Sequence, residues 1–161
     1  MPELPSRKPN RLQGHDYSQN GLYFITMCVR GKQCVFWDAV GARIARPILS
    51  NYGLVVEQAI NKISFVYNNV CVDKYVIMPN HIHLLLNIQT FSENGRAMRA
   101  PTVSTVVNQM KGFVTKQIGH SIWQKLFHDR IVRDEAEYVK IWQYIENNPL
   151  QWELDCFYTK P

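Results

Sequence analysis

No two cysteines in this chain are spaced as CxxC; Cys28, Cys34, Cys71 and Cys156 lie scattered, which removes a zinc knuckle and a thioredoxin-like redox centre. Reduced thiols are expected, two of them inside apolar, strand-like runs. No apolar run approaches the roughly 20 residues of a membrane span. The opening Met1-Pro2-Glu3-Leu4-Pro5 has no apolar signal core, so a cytoplasmic protein with no membrane partner is expected. Internal repeats, low-complexity tracts and abrupt composition shifts are also missing. Acidic residues are the minority, 13 against 18 Lys and Arg, for a net charge of +5. That balance favours an anionic partner, nucleic acid first, although many basic proteins bind none. A hydrophobic share of 46% with 19% charged residues over 161 residues is a globular composition, long enough for one domain with its own core.

Against that background stands His81-Ile82-His83-Leu84-Leu85-Leu86-Asn87-Ile88. In a strand, alternate side chains leave on opposite faces. Ile82, Leu84, Leu86 and Ile88 then make an apolar face, and His81, His83 and Asn87 share the other. Two imidazoles at i and i+2 are close enough to ligate one divalent ion. Two exposed histidines on a half-solvated strand explain the spacing equally well.

Around this strand the chain divides into residues 1–20, an extended basic arm, and residues 21–161, a single domain. The arm carries Arg7, Lys8 and Arg11, either to contact phosphates or as a solvated tail. Aromatic and branched residues over Leu22–Val29 predict a strand. Tyr52, Val55, Val56, Ala59, Ile60 and Ile63 recur at three- and four-residue spacing and predict a helix from Ile48 to about Ser64. Val70–Met78 predicts a second strand; the Met78-Pro79-Asn80 break should fold it against the histidine strand as an antiparallel hairpin. Residues 89–101 read as a loop bearing Arg96 and Arg99. Thr102 caps a helix running to about Ile118, with Val103, Val106, Val107, Met110 and Val114 on its stripe and Lys111 and Lys116 off it. The stretch Trp123–Arg133 interleaves aromatic and basic residues, Arg130 and Arg133 among them. Single-stranded nucleic-acid sites look like this, and so does the rim of a small core.

Asp134 opens a last helix, through about Asn147, that Pro149 stops. Tyr138, Ile141, Trp142 and Ile145 form its buried stripe. At about 100° per residue, Tyr144 and Asn148 leave within roughly 40° of each other on the flank of that stripe. They either reach into a neighbouring cleft or are a tyrosine at the core margin and a helix-end asparagine.

The run Tyr75-Val76-Ile77-Met78-Pro79-Asn80-His81-Ile82-His83-Leu84-Leu85-Leu86, followed about sixty residues later by Tyr144-Ile145-Glu146-Asn147-Asn148-Pro149-Leu150, resembles the single-tyrosine HUH transposases, especially the REP-associated tyrosine transposases. Arg11-Leu12-Gln13-Gly14-His15-Asp16-Tyr17-Ser18 and Phe127-His128-Asp129-Arg130-Ile131-Val132-Arg133 resemble family stretches too, so the likeness runs from about Arg7 to Leu154. The resemblance implies an α+β fold, a ferredoxin-like antiparallel sheet with helices packed on one face. It implies Mg²⁺ or Mn²⁺ on His81 and His83, Tyr144 as nucleophile, and Asn148 as third ligand where insertion-sequence relatives often carry Gln. The implied partner is single-stranded or hairpin DNA, with Arg7, Lys8, Arg11, Lys111, Arg130 and Arg133 as candidate contacts. Homodimer and monomer both stay open, since both occur among such relatives.

The residue types suit that chemistry. A phenol attacks a phosphodiester more readily when a metal polarises a non-bridging oxygen. A 5′-phosphotyrosyl enzyme and a free 3′-hydroxyl result, and reversal rejoins strands without ATP. Lys140, one turn before Tyr144, is a candidate to favour the phenolate, and Glu137 to accept its proton; solvated surface charge accounts for both as well. Two rival readings remain: a domesticated hairpin-binding protein without turnover, and a metal-dependent phosphodiesterase in which water attacks and Tyr144 only packs.

Overall fold

The computed structural model describes residues 20–38, 47–90, 92–93, 96–97 and 100–159. Its strands are β1 (Gly21–Cys28), β2 (Val70–Ile77), β3 (His81–Ile88), the two-residue β4 (Ser92–Glu93) and β5 (Arg96–Ala97), and β6 (His128–Val132). The helices are α1 (Asn51–Val66), α2 (Val103–Ile118) and α3 (Glu135–Asn147). One antiparallel sheet runs in the order β2-β3-β1-β6, while β4 and β5 pair only with each other inside the expected loop. A four-strand antiparallel sheet with three helices is the α+β arrangement expected. Arg7, Lys8, Arg11 and Arg99 lie outside the described residues, as does the side chain of Arg96. No described helix is long and apolar enough to cross a membrane.

The histidine strand occupies its predicted span and sits centrally. β2 folds onto it through Met78-Pro79-Asn80, closed by the Met78 N–H donating to the His81 carbonyl at 2.8 Å. On its other side β1 pairs so that Cys28 faces His81, Thr26 faces His83 and Ile25 faces Leu84. This register stacks Tyr23, Ile25 and Met27 beside Ile82, Leu84 and Leu86, all fully buried. Val56, Ala59, Ile60 and Ile63 of α1 and Val106, Val107, Met110 and Val114 of α2 are buried in the same core. Each such large apolar side chain contributes about 1.5–3 kcal/mol.

Helix α1 starts three residues later than its periodicity suggests. Leu49 bridges to Trp37, which holds the chain extended up to Ser50, whose Oγ then caps the helix by accepting from the Gly53 N–H at 3.1 Å. Ile48 is left outside the helix and exposed.

The helices do not all pack on one face as the resemblance implied: α3 covers the opposite face of the sheet, where its Tyr144 meets His83 and Phe24. Ile141 and Ile145 are buried there as expected, but Trp142 is exposed rather than part of the stripe. Lys74, across from Leu85 in the β2–β3 register, places its ammonium 3.9 Å from the Trp142 ring and pairs with Glu146. An indole held by a cation need not reach the core. After α3 a 3₁₀ stretch, Asn148–Leu154, turns around Pro149 and buries Trp152. The chain then returns to the end of β3, where the Asn80 amide donates to the Phe157 carbonyl at 2.9 Å.

Candidate active site

On the α3 side of β3, His81 and His83 are both buried, so the polar face read from the alternation is enclosed rather than half-solvated. Their Nε2 atoms approach to 3.1 Å. Each Nδ1 is held from behind: His81 by Asn80 Oδ1 at 2.8 Å, His83 by Thr26 Oγ1 at 2.8 Å. Asn80 Nδ2 donates to the carbonyls of Phe157 and Lys32, which leaves its Oδ1 for the His81 ring. The His81 Nδ1 therefore carries the proton, and its Nε2 presents a lone pair. Aromatic rings fix both imidazoles further; Phe24 stacks on His83 at 5.1 Å between centroids and Phe157 lies 4.6 Å from His81.

Burial holds both rings neutral. It lowers His81 to about 2, with its neighbour His83 adding to the effect, and lowers His83 to about 3. The 3.8 Å approach of Asp155 Oδ2 to His81 Nε2 is therefore not an ion pair at neutral pH. His81, His83 and Asp155 nevertheless offer ligand atoms within 4.8 Å of one another, a group that could hold a metal ion.

Tyr144 comes to the same place from α3. Its hydroxyl lies 3.3 Å from His83 Nε2 and 3.4 Å from Asp155 Oδ2, and its ring packs edge-on against Phe24. Burial pushes the phenol up to about 12, the Asp155 carboxylate adds to the rise, and the Asn148 side chain opposes it. Asn148 keeps the helical path one turn on, with φ −57° and ψ −43°, and is buried. Its Nδ2 makes no hydrogen bond of normal geometry, so a buried amide is left without a full set of partners.

The other sequence candidates lie elsewhere or are engaged. Lys111 donates to the Gln124 carbonyl at 2.9 Å, and partial burial lowers it. Arg130 pairs with Glu137, whose other oxygen accepts the Arg133 N–H, so this glutamate braces β6 to α3 instead of reaching the histidines. Arg133 and Lys140 are exposed. Thr26, Asn80 and Asp155 were not singled out as site residues by spacing. The first two could have been found from the strand register and from the turn beside His81; Asp155 had no signal.

A family profile described as IS200-like transposase matches residues 23–148. An uncharacterized Haemophilus influenzae protein is 32% identical over 95% of this chain and 93% of its own length. A second protein from that organism, provisionally named a REP-associated tyrosine transposase, is 23% identical over 84% of this chain and 74% of its own. Among solved structures, a REP-associated tyrosine transposase bound to a REP hairpin superposes with a TM-score of 0.60 at 19% identity, covering 88% of this chain and 73% of that one. At that identity the likeness is one of fold.

Proposed function

The chain belongs to the IS200-like transposase family, whose members process DNA, and on that premise we propose that it cuts and rejoins single-stranded DNA at hairpin ends through Tyr144 with a divalent metal ion. The observation that carries the proposal is the meeting of the α3 phenol with the β3 histidine pair, Tyr144 Oη to His83 Nε2 at 3.3 Å. The two histidines arrive from the middle of the chain and the phenol from more than sixty residues on, so no local packing need explains their contact.

In this reading the Tyr144 phenol gives up its proton as its oxygen attacks the phosphorus, the P–O3′ bond breaks, and the departing 3′ oxygen takes up a proton in exchange. A 5′-phosphotyrosine and a free 3′-hydroxyl result, and attack by that hydroxyl reverses the step. His81 and His83 would hold Mg²⁺ or Mn²⁺ through Nε2, with Asn148 as a further donor. The residues fit such an ion: two neutral imidazoles oriented through Nδ1 lie beside a buried carboxylate. Bound there, the ion would polarise the phosphate and draw the phenol down from its raised pKa. Phe24 and Thr26 keep the His83 ring aimed, and Asn80 keeps His81 in the tautomer a metal needs. The DNA hairpin as partner is taken from the transposase of similar fold; exposed Arg133 and the basic arm are its proposed phosphate contacts.

Incubation with labelled single-stranded hairpins and Mg²⁺ or Mn²⁺, followed by a denaturing gel, tests this. A protein-linked band is expected, absent with Tyr144→Phe and with His81→Ala. Two free ends without a linked band point to attack by water. Binding without any cleavage over a broad substrate pool points to a hairpin-binding protein.

A further inference from the structure

We propose that Asp155 is the anionic ligand of the divalent ion at His81 and His83, an inference that rests on the function proposed above. The Asp155 side chain is fully shielded from solvent. Its Oδ1 accepts from the Phe157 N–H at 2.7 Å, while its Oδ2 points at the site, 3.8 Å from His81 Nε2 and 3.4 Å from the Tyr144 hydroxyl. Among the described residues no lysine or arginine forms an ion pair with it; Lys74 and Arg130 are taken by Glu146 and Glu137.

A shielded carboxylate oxygen 3.8 Å from His81 Nε2, with a His83 ring nitrogen within 4.8 Å, accepts from the Tyr144 hydroxyl but has no cation paired with it among the described residues. Leaving an ionised group so placed is costly. A cation between the three atoms offsets that cost, and the neutral amide of Asn148 could not do the same. An oxygen anion also tilts a two-histidine site toward Mg²⁺ or Mn²⁺, which prefer carboxylates. Because Asp155 belongs to the segment that Asn80 also holds through Phe157, the ion would fasten that segment to β3.

The test is calorimetric titration of the full chain with MnCl₂, which reads binding without DNA or turnover. Asp155→Asn is expected to weaken Mn²⁺ by about tenfold or more, and Asn148→Ala by less. Mn²⁺ affinity within about twofold of wild type in Asp155→Asn, with binding lost in His81→Asn, overturns the role of Asp155 and leaves the metal site standing. No Mn²⁺ binding by the wild type overturns the metal-dependent reading and this inference together. Should Asp155→Asn fail to fold, Asp155→Cys gives a second measure, since a thiolate ligand prefers soft ions. It should show a Cd²⁺–thiolate absorption band that the wild type lacks, and the absence of that band refutes ligation from this position.

Discussion

Acidifying the metal-free protein should cost it stability through His81 and His83, and the size of the loss follows from their burial. In the unfolded chain each imidazole titrates near 6.5; in the fold they sit at about 2 and about 3. Between those values the unfolded state binds about two more protons than the native state. Stability therefore rises with pH across that window and falls as pH drops, levelling off above about 6.5. From about pH 7 to about pH 5 each histidine contributes a loss of about 2 kcal/mol, hence about 4 for the pair, a large part of a typical 5–15 kcal/mol. Urea unfolding followed by tryptophan fluorescence in EDTA, at several pH values, measures it. The comparison is the double variant His81→Asn/His83→Asn, whose amides can keep the hydrogen bonds to Asn80 and Thr26 without titrating. The wild type should lose about 4 kcal/mol more than the variant over that interval. Equal losses would show that the two rings are not held neutral, and the reasoning from their burial would fail.

Asn80→Ala should weaken Mn²⁺ binding by about 10–100-fold, read by calorimetry, because it frees the His81 ring and releases Phe157 at once. Saturating Mn²⁺ should raise the unfolding free energy at neutral pH by about 3 kcal/mol at a hundredfold excess over Kd, an increment that acid removes as the histidines protonate. Gly53→Ala, which helix propensity alone would favour by about 1 kcal/mol, should instead destabilise by about 1–3 kcal/mol in urea. The new methyl runs into the Phe36 carbonyl oxygen and crowds Leu49 at 3.0 Å. Tyr144→Phe should keep hairpin affinity near wild type in a filter-binding assay while abolishing the covalent adduct.

Alternation broken only at Leu85 made β3 legible, because the apolar face had one way to lie against α1 and α2. The β2–β3 hairpin followed from Pro79 and Asn80, and the cap at Thr102 and the stop at Gly119 are where the residue types put them. Periodicity misled at Ile48 and Trp142 because it registers hydrophobicity without tertiary partners. A bridge from Leu49 to Trp37 delays α1, and a lysine on β2 satisfies an indole at the surface. The enclosure of the histidine face was hidden for the same reason: it depends on where α3 lands. Asp155 was beyond reach, since only the turn at Asn148–Leu154 brings it beside a residue 74 positions earlier (155 less 81).

The central position of β3 sets how the two halves of the site fluctuate. Its amides are hydrogen-bonded to β2 on one side and β1 on the other, so their exchange with solvent deuterium requires close to global unfolding. Helix α3 lies outside the sheet with Val139, Trp142 and Tyr144 exposed, and it can open at a lower free energy. The histidines thus ride on the most protected strand of the sheet, and the phenol on a helix outside it. In the proposed reaction, a centre that grips one DNA end, releases it and accepts another would draw on that division between a central strand and an outer helix.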